Sequence, residues 1–214
     1  MRPARWQWSL KHALDHALAA ILLVVLLPVL AGSAVAVWAS LGRPIFFTQV
    51  RVGRGGRPFR MWKLRTLRLG RDLDGDPDEE LQDGLGPGGC DDPSRSTAIG
   101  SFLRETSLDE LPQLLNVLRG DMSLVGPRPE RPHYVAHFER SVHRYGERHR
   151  VKPGITGWAQ IHGFRGRTSI VRRCELDNFY IENFSLALDA KILLKTLLQA
   201  VGSLRAARVQ GSGH

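Results

Sequence analysis

Cysteine is almost missing from this chain: of 214 residues only Cys90 and Cys174 carry a thiol. Two cysteines without CxxC spacing exclude a disulfide framework and point to a reduced, cytosol-facing compartment. Lysine is scarce too, with 5 lysines against 25 arginines among the 30 basic residues. Arginine offers a planar fork matched to phosphate oxygens, although a GC-rich coding sequence would give the same bias. Aromatic residues make up 7%. They do not interleave with basic residues and no groove-reading helix is evident, so a nucleic-acid partner is not expected. Acid is missing from most of the sequence, because 9 of the 21 acidic residues fall between Asp72 and Asp92, a stretch with no Lys or Arg. The rest of the chain therefore sets 30 basic residues against 12 acidic ones, which suits an anionic partner such as a lipid headgroup or a nucleotide. Hydrophobic residues at 43% and charged residues at 24% exclude a disordered or fibrous chain. The length excludes tandem large domains.

What the chain does have is one long apolar run. Ala17 to Gly42 contains no charged residue over 26 positions, where a membrane-crossing helix needs about 20. A cleavable signal is excluded by the length of the run and the basic chain beyond it. Both flanks are basic, with Arg2, Arg5 and Lys11 before and Arg43, Arg51, Arg54 and Arg57 after. Positive charge marks the cytoplasmic side, and a straight span would place one flank on the wrong side. Pro28 removes a helical hydrogen bond near the middle, so a kink or break is expected there, with the helix dipping in and returning. Trp6, Trp8 and Trp38 suit the interface. At the other end, 185–204 places apolar residues at helical spacing with Lys191 and Lys195 on the opposite side. This is an amphipathic helix, packed on the core or lying in the membrane interface.

Between these ends, Ile45–Val52 and Phe59–Thr66 read as two strands joined by a Gly-rich turn. The period of two puts Phe59, Met61, Lys63 and Arg65 on one face, so two cations point the same way. The acidic stretch fails the calcium-loop pattern, since Pro77 and Asp83 stand where Gly and Glu are needed. With its glycines and prolines it reads as a mobile loop. His133 and His137 lie four apart near Pro132, but without an HExxH motif or cysteines a surface helix is expected rather than zinc.

The most informative segment is Arg104-Glu-Thr-Ser-Leu-Asp-Glu-Leu-Pro-Gln-Leu-Leu-Asn116. Thr106 and Ser107 are N-cap types, the leucines form a helical stripe, and Pro112 fits only a first turn, so Asp109 and Glu110 should sit at a helix N-terminus. Two readings of that pair stand side by side. In one, Ser107 and Glu110 form a capping box. In the other, one carboxylate attacks phosphorus and its neighbour holds a divalent cation.

Seven blocks in order favour the second: the run from Lys11 to Asp15 with the Pro-centred apolar stretch, GRPIFFTQVRVG, FRMWKLRTL, FLRETSLDELPQLLNVLRGDMSLVGPRPE, RVKPGITGWAQIHG and CELDNFYIENFSLALDAKILLKTL. Together they resemble the bacterial sugar transferases, the monotopic polyprenyl-phosphate phosphoglycosyl transferases. The resemblance implies transfer of a sugar 1-phosphate from a UDP-sugar to polyprenyl (undecaprenyl) phosphate with release of UMP, through a covalent aspartyl intermediate, at the start of exopolysaccharide, O-antigen or glycan assembly. It implies Asp109 as nucleophile, Glu110 with Asp109 as the Mg²⁺ site, Lys63, Arg65, Arg104 and Arg128 as phosphate- or nucleotide-binding cations, and Pro28 as the helix-breaking proline.

The fold class expected is α+β, mostly helical: a monotopic membrane protein with an N-terminal re-entrant helix over 1–42 and a cytosolic catalytic domain over 43–214. That domain should hold the small β-hairpin, the acidic loop over 70–97 and the amphipathic helix over 185–204, on the inner leaflet of the cytoplasmic membrane with no nucleic-acid partner and with homodimerisation left open. The chain reads as a minimal catalytic form. Leu27 replaces a usual Ser, His12 a usual Arg and Ala190 a usual Leu. The competing function is a catalytically silent basic membrane-bound scaffold of the same fold.

Overall fold

The structure is a computed structural model that describes residues 5–69 and 93–211. Helix α1 runs from Arg5 to Leu41 and contains Pro28. It carries a hairpin of β1 (Phe46–Val52) and β2 (Pro58–Leu64), then α2 (Ala98–Glu105), a 3₁₀ turn at Leu108–Glu110 and α3 (Gln113–Arg119). The chain continues through β3 (Ser123–Val125), α4 (Pro132–Ser141), β4 (Gly154–Thr156), α5 (Trp158–Ile161), α6 (Ile170–Glu182) and α7 (Leu186–Gly211). The architecture among the described residues is mostly helical with two small sheets, one antiparallel (β1–β2) and one parallel (β3–β4).

The hairpin forms where the alternating β-branched and aromatic residues place it, pairing Phe46 with Leu64 and Val52 with Pro58. Gly55 and Gly56 close it with φ of 67° and 76°, a left-handed conformation open to glycine. The parallel pair has no such pattern behind it. Its strands are three residues long and are held by tertiary contact, with Ser123 opposite Gly154 and Val125 opposite Thr156. A Cβ on Gly154 would lie 2.1 Å from the Gly126 nitrogen, and a Cβ on Gly126 would lie 2.5 Å from the Lys152 carbonyl oxygen. Only two glycines allow the chain after β3 to pass this close to the chain before β4.

One apolar core joins Met61 of β2, Leu114 and Val117 of α3, Leu124 and Val125 of β3, Ile161, Tyr180 and Ile181, and Ile192 of α7. Ala19 of α1 is part of it, with Leu22 and Leu23 packed against its edge. The far end of α1 enters a second cluster, where Val37 meets Leu64 and Leu103. A third, under α4, gathers Tyr134, Phe138, Tyr145, Ile170 and Cys174. The foot of α1 is also fastened by charge: Lys11 lies 3.2 Å from Asp15 and 2.7 Å from Asp189 of α7. Trp8 stacks on Phe184 with ring centroids 4.0 Å apart. Between these anchored ends, Ile21, Val24, Val25 and Leu27 are exposed, Val24 at 74%.

Two expectations change, and a third falls almost wholly outside the described residues. The helix is assigned without interruption across Pro28. The rise of 1.5 Å per residue and the single hydrogen bond that a proline removes allow the ladder to resume within a turn. The C-terminal helix continues to Gly211, beyond the 204 expected. The acidic loop lies outside the described residues except for its last part, where Pro93–Arg95 form a 3₁₀ turn and Ser96 bridges to Leu67.

Candidate active site

Asp109 and Glu110 stand in the 3₁₀ turn ahead of α3, not in the first turn of an α-helix as the leucine stripe predicts. Ser107 sets the turn, with φ 58° and ψ 19°, a left-handed conformation that costs a non-glycine residue about 1 kcal/mol or more. Its side chain makes no cap hydrogen bond, so the capping-box reading does not hold. Glu110 is turned elsewhere.

The turn is registered against the hairpin by Asn116 of α3, which is fully buried. Its Oδ1 accepts from the Trp62 backbone N–H at 3.0 Å and its Nδ2 donates to the Arg60 carbonyl at 2.8 Å. These backbone groups lie on the side of β2 away from β1, where a two-stranded sheet leaves them unpaired. One amide thus satisfies the free edge and fixes β2 beside the acidic turn.

Lys63 of β2 then reaches both acids. Its Nζ is 2.8 Å from Glu110 Oε1 and 3.8 Å from Asp109 Oδ2. Arg128, in the loop after β3, closes on Glu110 from the other side, Nη2 to Oε1 at 2.6 Å and Nη1 to Oε2 at 3.4 Å. The loop that carries Arg128 is held at both ends. Gly126 N–H donates to the Thr156 carbonyl and Gly154 N–H to the Pro127 carbonyl, both at 2.9 Å, and the Arg128 carbonyl accepts from Arg148 at 3.0 Å.

The two neighbours differ in charge state. Burial would push both carboxyls up, but at Glu110 the adjacent Arg128 and Lys63 outweigh it and hold the group well below the usual carboxylate range. Asp109 is 6% exposed, and burial pushes it up to about 6. Lys63 pulls it down and the charge on Glu110 pushes it up again. The site therefore holds one firmly ionised acid engaged by two cations and one buried acid whose negative charge is incompletely compensated. That second group is the better placed to accept an electrophile or a cation.

Lys63 and Arg128 are thus brought to the acids. Arg65 is not: β2 ends at Leu64, and the Arg65 guanidinium turns to the Leu41 and Gly42 carbonyls at the end of α1. It satisfies orphan carbonyls there, as basic side chains do at helix C-termini. Arg104 donates to the Ser96 hydroxyl at 3.0 Å. Pro28 is exposed in the middle of α1. His133 and His137 lie on α4, and among the described residues no group of three or more His, Cys, Asp or Glu side chains could hold a metal ion. Asp109 and Glu110 alone supply two hard oxygen donors. That set fits Mg²⁺, which binds one or two carboxylates together with phosphate oxygens and water.

One cation escaped the sequence reading. Arg165, between Gly163 and Gly166, lies within electrostatic reach of Arg128 and Glu110. More than a third of its surface is open, yet crowding of its guanidinium lowers its pKa, with Arg128 adding to the effect. The signal available was a basic residue framed by two glycines, which have φ of 85° and 61°.

Comparison with known proteins follows the same lines. The family model described as bacterial sugar transferase matches residues 6–203. The chain is 43% identical over 192 residues to the UDP-glucose:undecaprenyl-phosphate glucose-1-phosphate transferase of Xanthomonas campestris pv. campestris, covering 88% of this chain and 38% of that protein. It is 40% identical over 190 residues to the UDP-N-acetylgalactosamine-undecaprenyl-phosphate N-acetylgalactosaminephosphotransferase of Aeromonas hydrophila, covering 88% of this chain and 43% of that one. To the uncharacterized sugar transferase EpsL of Bacillus subtilis (strain 168) it is 40% identical over 214 residues, covering 95% and 97%. The chain spans about two-fifths of the length of the first of these relatives.

Proposed function

The chain belongs to the bacterial sugar transferase family, and on that premise we propose that it moves a sugar 1-phosphate from a UDP-sugar to undecaprenyl phosphate and releases UMP. The observation that carries the reading is the asymmetry of the acidic pair. Glu110 is engaged by Lys63 and Arg128, while Asp109 remains a buried carboxylate with its charge only partly balanced. An under-compensated carboxylate is a stronger nucleophile than a paired one. With a pKa of about 6 it is ionised at neutral pH.

In the first displacement an Asp109 oxygen attacks the β-phosphorus of the UDP-sugar. The new acyl phosphate bond forms as the bond to the UMP oxygen breaks, and UMP leaves with the electron pair. In the second, an oxygen of undecaprenyl phosphate attacks the same phosphorus and expels the Asp109 carboxylate, giving the lipid diphosphosugar. Lys63 and Arg128 stabilise the negative charge that spreads over the phosphoryl oxygens in both transition states. Arg165 adds a third positive charge at the rim. Asp109 and Glu110 would hold Mg²⁺ jointly with substrate phosphate oxygens, and the ion would neutralise diphosphate charge.

The same proposal places α1 in the membrane as a re-entrant element, with the catalytic body on the cytoplasmic face. Support comes from both ends of the helix. Lys11 and Ala19 pack on the same body as Val37 and Leu41, so a straight crossing would carry one end away from the contacts it makes. The exposed apolar middle fits hydrocarbon, and both basic flanks fit the cytoplasmic side. Placement at the first membrane step of glycan assembly follows from the proposed reaction, in which the acceptor lipid carries no sugar before the transfer.

The test uses the detergent-solubilised chain with a panel of UDP-sugars. We expect a stoichiometric burst of UMP without lipid acceptor, a phosphosugar adduct on the peptide containing Asp109 by mass spectrometry, and parallel initial-rate lines. Asp109→Asn should abolish the burst and reduce turnover by at least about 10³-fold. Substantial turnover in that variant, or intersecting lines, would replace this mechanism with direct transfer in a ternary complex.

A further inference from the structure

Arg128 lies in the loop after β3 and Arg165 in the segment between α5 and α6. Both are tied to a single buried side chain. Arg173 of α6 is 1% exposed. Its Nη1 donates to Glu130 Oε1 at 2.7 Å, and Glu130 follows Arg128 by two residues. Its Nη2 donates to the carbonyl of Gly166, the residue after Arg165, and to the Thr168 hydroxyl at 3.1 Å. Glu130 is fixed in turn, since its own carbonyl accepts from the Val52 N–H at 2.9 Å and its Oε2 lies 3.5 Å from Arg51.

We propose that Arg173 is a positioning residue whose forked guanidinium sets the spacing of Arg128 and Arg165 for the diphosphate of the nucleotide sugar. The proposal rests on the transferase reading above. The fork matters because the two nitrogens serve different loops: one neutralises the acid behind Arg128, and the other grips backbone beside Arg165. A lysine at this position could meet Glu130 but has no second arm in a fixed plane to hold Gly166. The two loops would then no longer be tied through one rigid group, and the exposed Arg165 would lose its place relative to Arg128. Without that tether, two like charges converging on one site would separate.

The experiment uses the full chain in detergent, with UDP as the binding probe, and compares Arg173→Lys, Arg165→Ala and the double variant. Arg173→Lys should weaken UDP binding and raise KM for the UDP-sugar about tenfold, with KM for undecaprenyl phosphate changed less than about twofold. Arg165→Ala should weaken UDP binding similarly, and the double variant should lose no more than about twofold beyond Arg165→Ala, because the lysine acts through a side chain already removed. Hydrogen exchange should rise in 163–168 of Arg173→Lys and stay unchanged in 126–131, where the lysine still meets Glu130. Unchanged UDP binding in Arg173→Lys, additive losses in the double variant, or an equal rise in both KM values overturns the proposal. If Arg173→Lys does not fold, Thr168→Val removes one of the same arm's contacts and should shift UDP binding about threefold, again without adding to Arg165→Ala. Failure of the wild-type chain to release UMP from any UDP-sugar sinks the transferase reading instead, and the exchange pattern still decides what Arg173 holds.

Discussion

Two ionic clusters, one at the foot of α1 and one at the acidic turn before α3, contain two carboxylates each and treat them differently. At the foot of α1, donors are shared out. Lys11 lies between Asp15 and Asp189, the Ser123 hydroxyl bonds Asp15, and the Tyr180 hydroxyl donates to Asp189 at 2.7 Å. At the acidic turn, donors are concentrated. Glu110 takes both Lys63 and Arg128 at 2.8 Å or less, while Asp109 has Lys63 at 3.8 Å. A cluster that only has to hold two elements together spreads its hydrogen bonds so that each acid keeps a close donor, although burial still pushes Asp189 up. A cluster that has to react keeps one acid unsatisfied. Asp109 at 6% exposure is buried as deeply as Asp15 at 6% and Asp189 at 7%, so the difference lies in the allocation of donors rather than in burial.

If the foot of α1 is structural, breaking it should act on stability first. Lys11→Met leaves two buried carboxylates facing each other without their cation. Removing one partner of a buried pair costs about 3–5 kcal/mol, which for a chain of this size lowers Tm by roughly 10 °C. Thermal melts in detergent check this, and UDP affinity of the protein that remains folded should stay within about twofold of wild type. A variant that melts normally but fails to bind UDP would erase the distinction between the clusters.

The complementary substitution is Glu110→Gln. It keeps the shape of the side chain and removes the charge that gathers Lys63 and Arg128, so kcat/KM for the UDP-sugar should fall about 10²–10³-fold. Tm should change little, because both cations keep some contact with solvent, at 19% and 27% exposure. Steady-state kinetics beside a melt separate the two effects. Equal losses in activity and stability would make the acidic turn one more structural cluster.

How far these clusters can be read from sequence differs as well. The Asp109-Glu110 pair was legible because Pro112 fits only at a helix start, although neither Thr106 nor Ser107 caps α3, and Lys63 was legible because strand alternation is a local rule. The same rule failed at Arg65, since β2 ends one residue earlier and the side chain follows the end of α1 instead of the strand face. The 3₁₀ turn replaced the expected helical start because Ser107 takes a left-handed conformation, which the types of neighbouring residues do not signal. The β3–β4 pair is too short for any periodicity. Arg148, Arg165 and Arg173 reach the Arg128 loop from 20 to 45 residues away, and their role depends on which loops the core brings together. An arginine-rich chain offers too many candidates for composition to choose among.

The smallest expected effect concerns the uncompensated charge on Asp109 itself, facing Lys63, Glu110 and Arg128. Its folded pKa is raised from 3.8 to about 6, so the folded state binds this proton more tightly than the unfolded state. The ionised form therefore costs stability, and the sign is opposite to that of a salt-bridged acid. Without divalent cations, in excess chelator, Asp109→Asn should be more stable than wild type above pH 7, by at most about 3 kcal/mol. The gap should shrink by about half by pH 5 and vanish below about pH 4, as wild type takes up the proton. Both proteins lose stability on the way down, because His12 and His149, with pKa lowered to about 4 in the folded state, protonate more readily when unfolded. That loss is common to both and cancels in the difference. Melting curves of the pair at pH 8, 6 and 5 decide the matter. A gap that does not change with pH, or a wild type more stable than the variant at pH 8, would mean that the charge on Asp109 is well compensated after all, and the contrast between the two clusters would not stand.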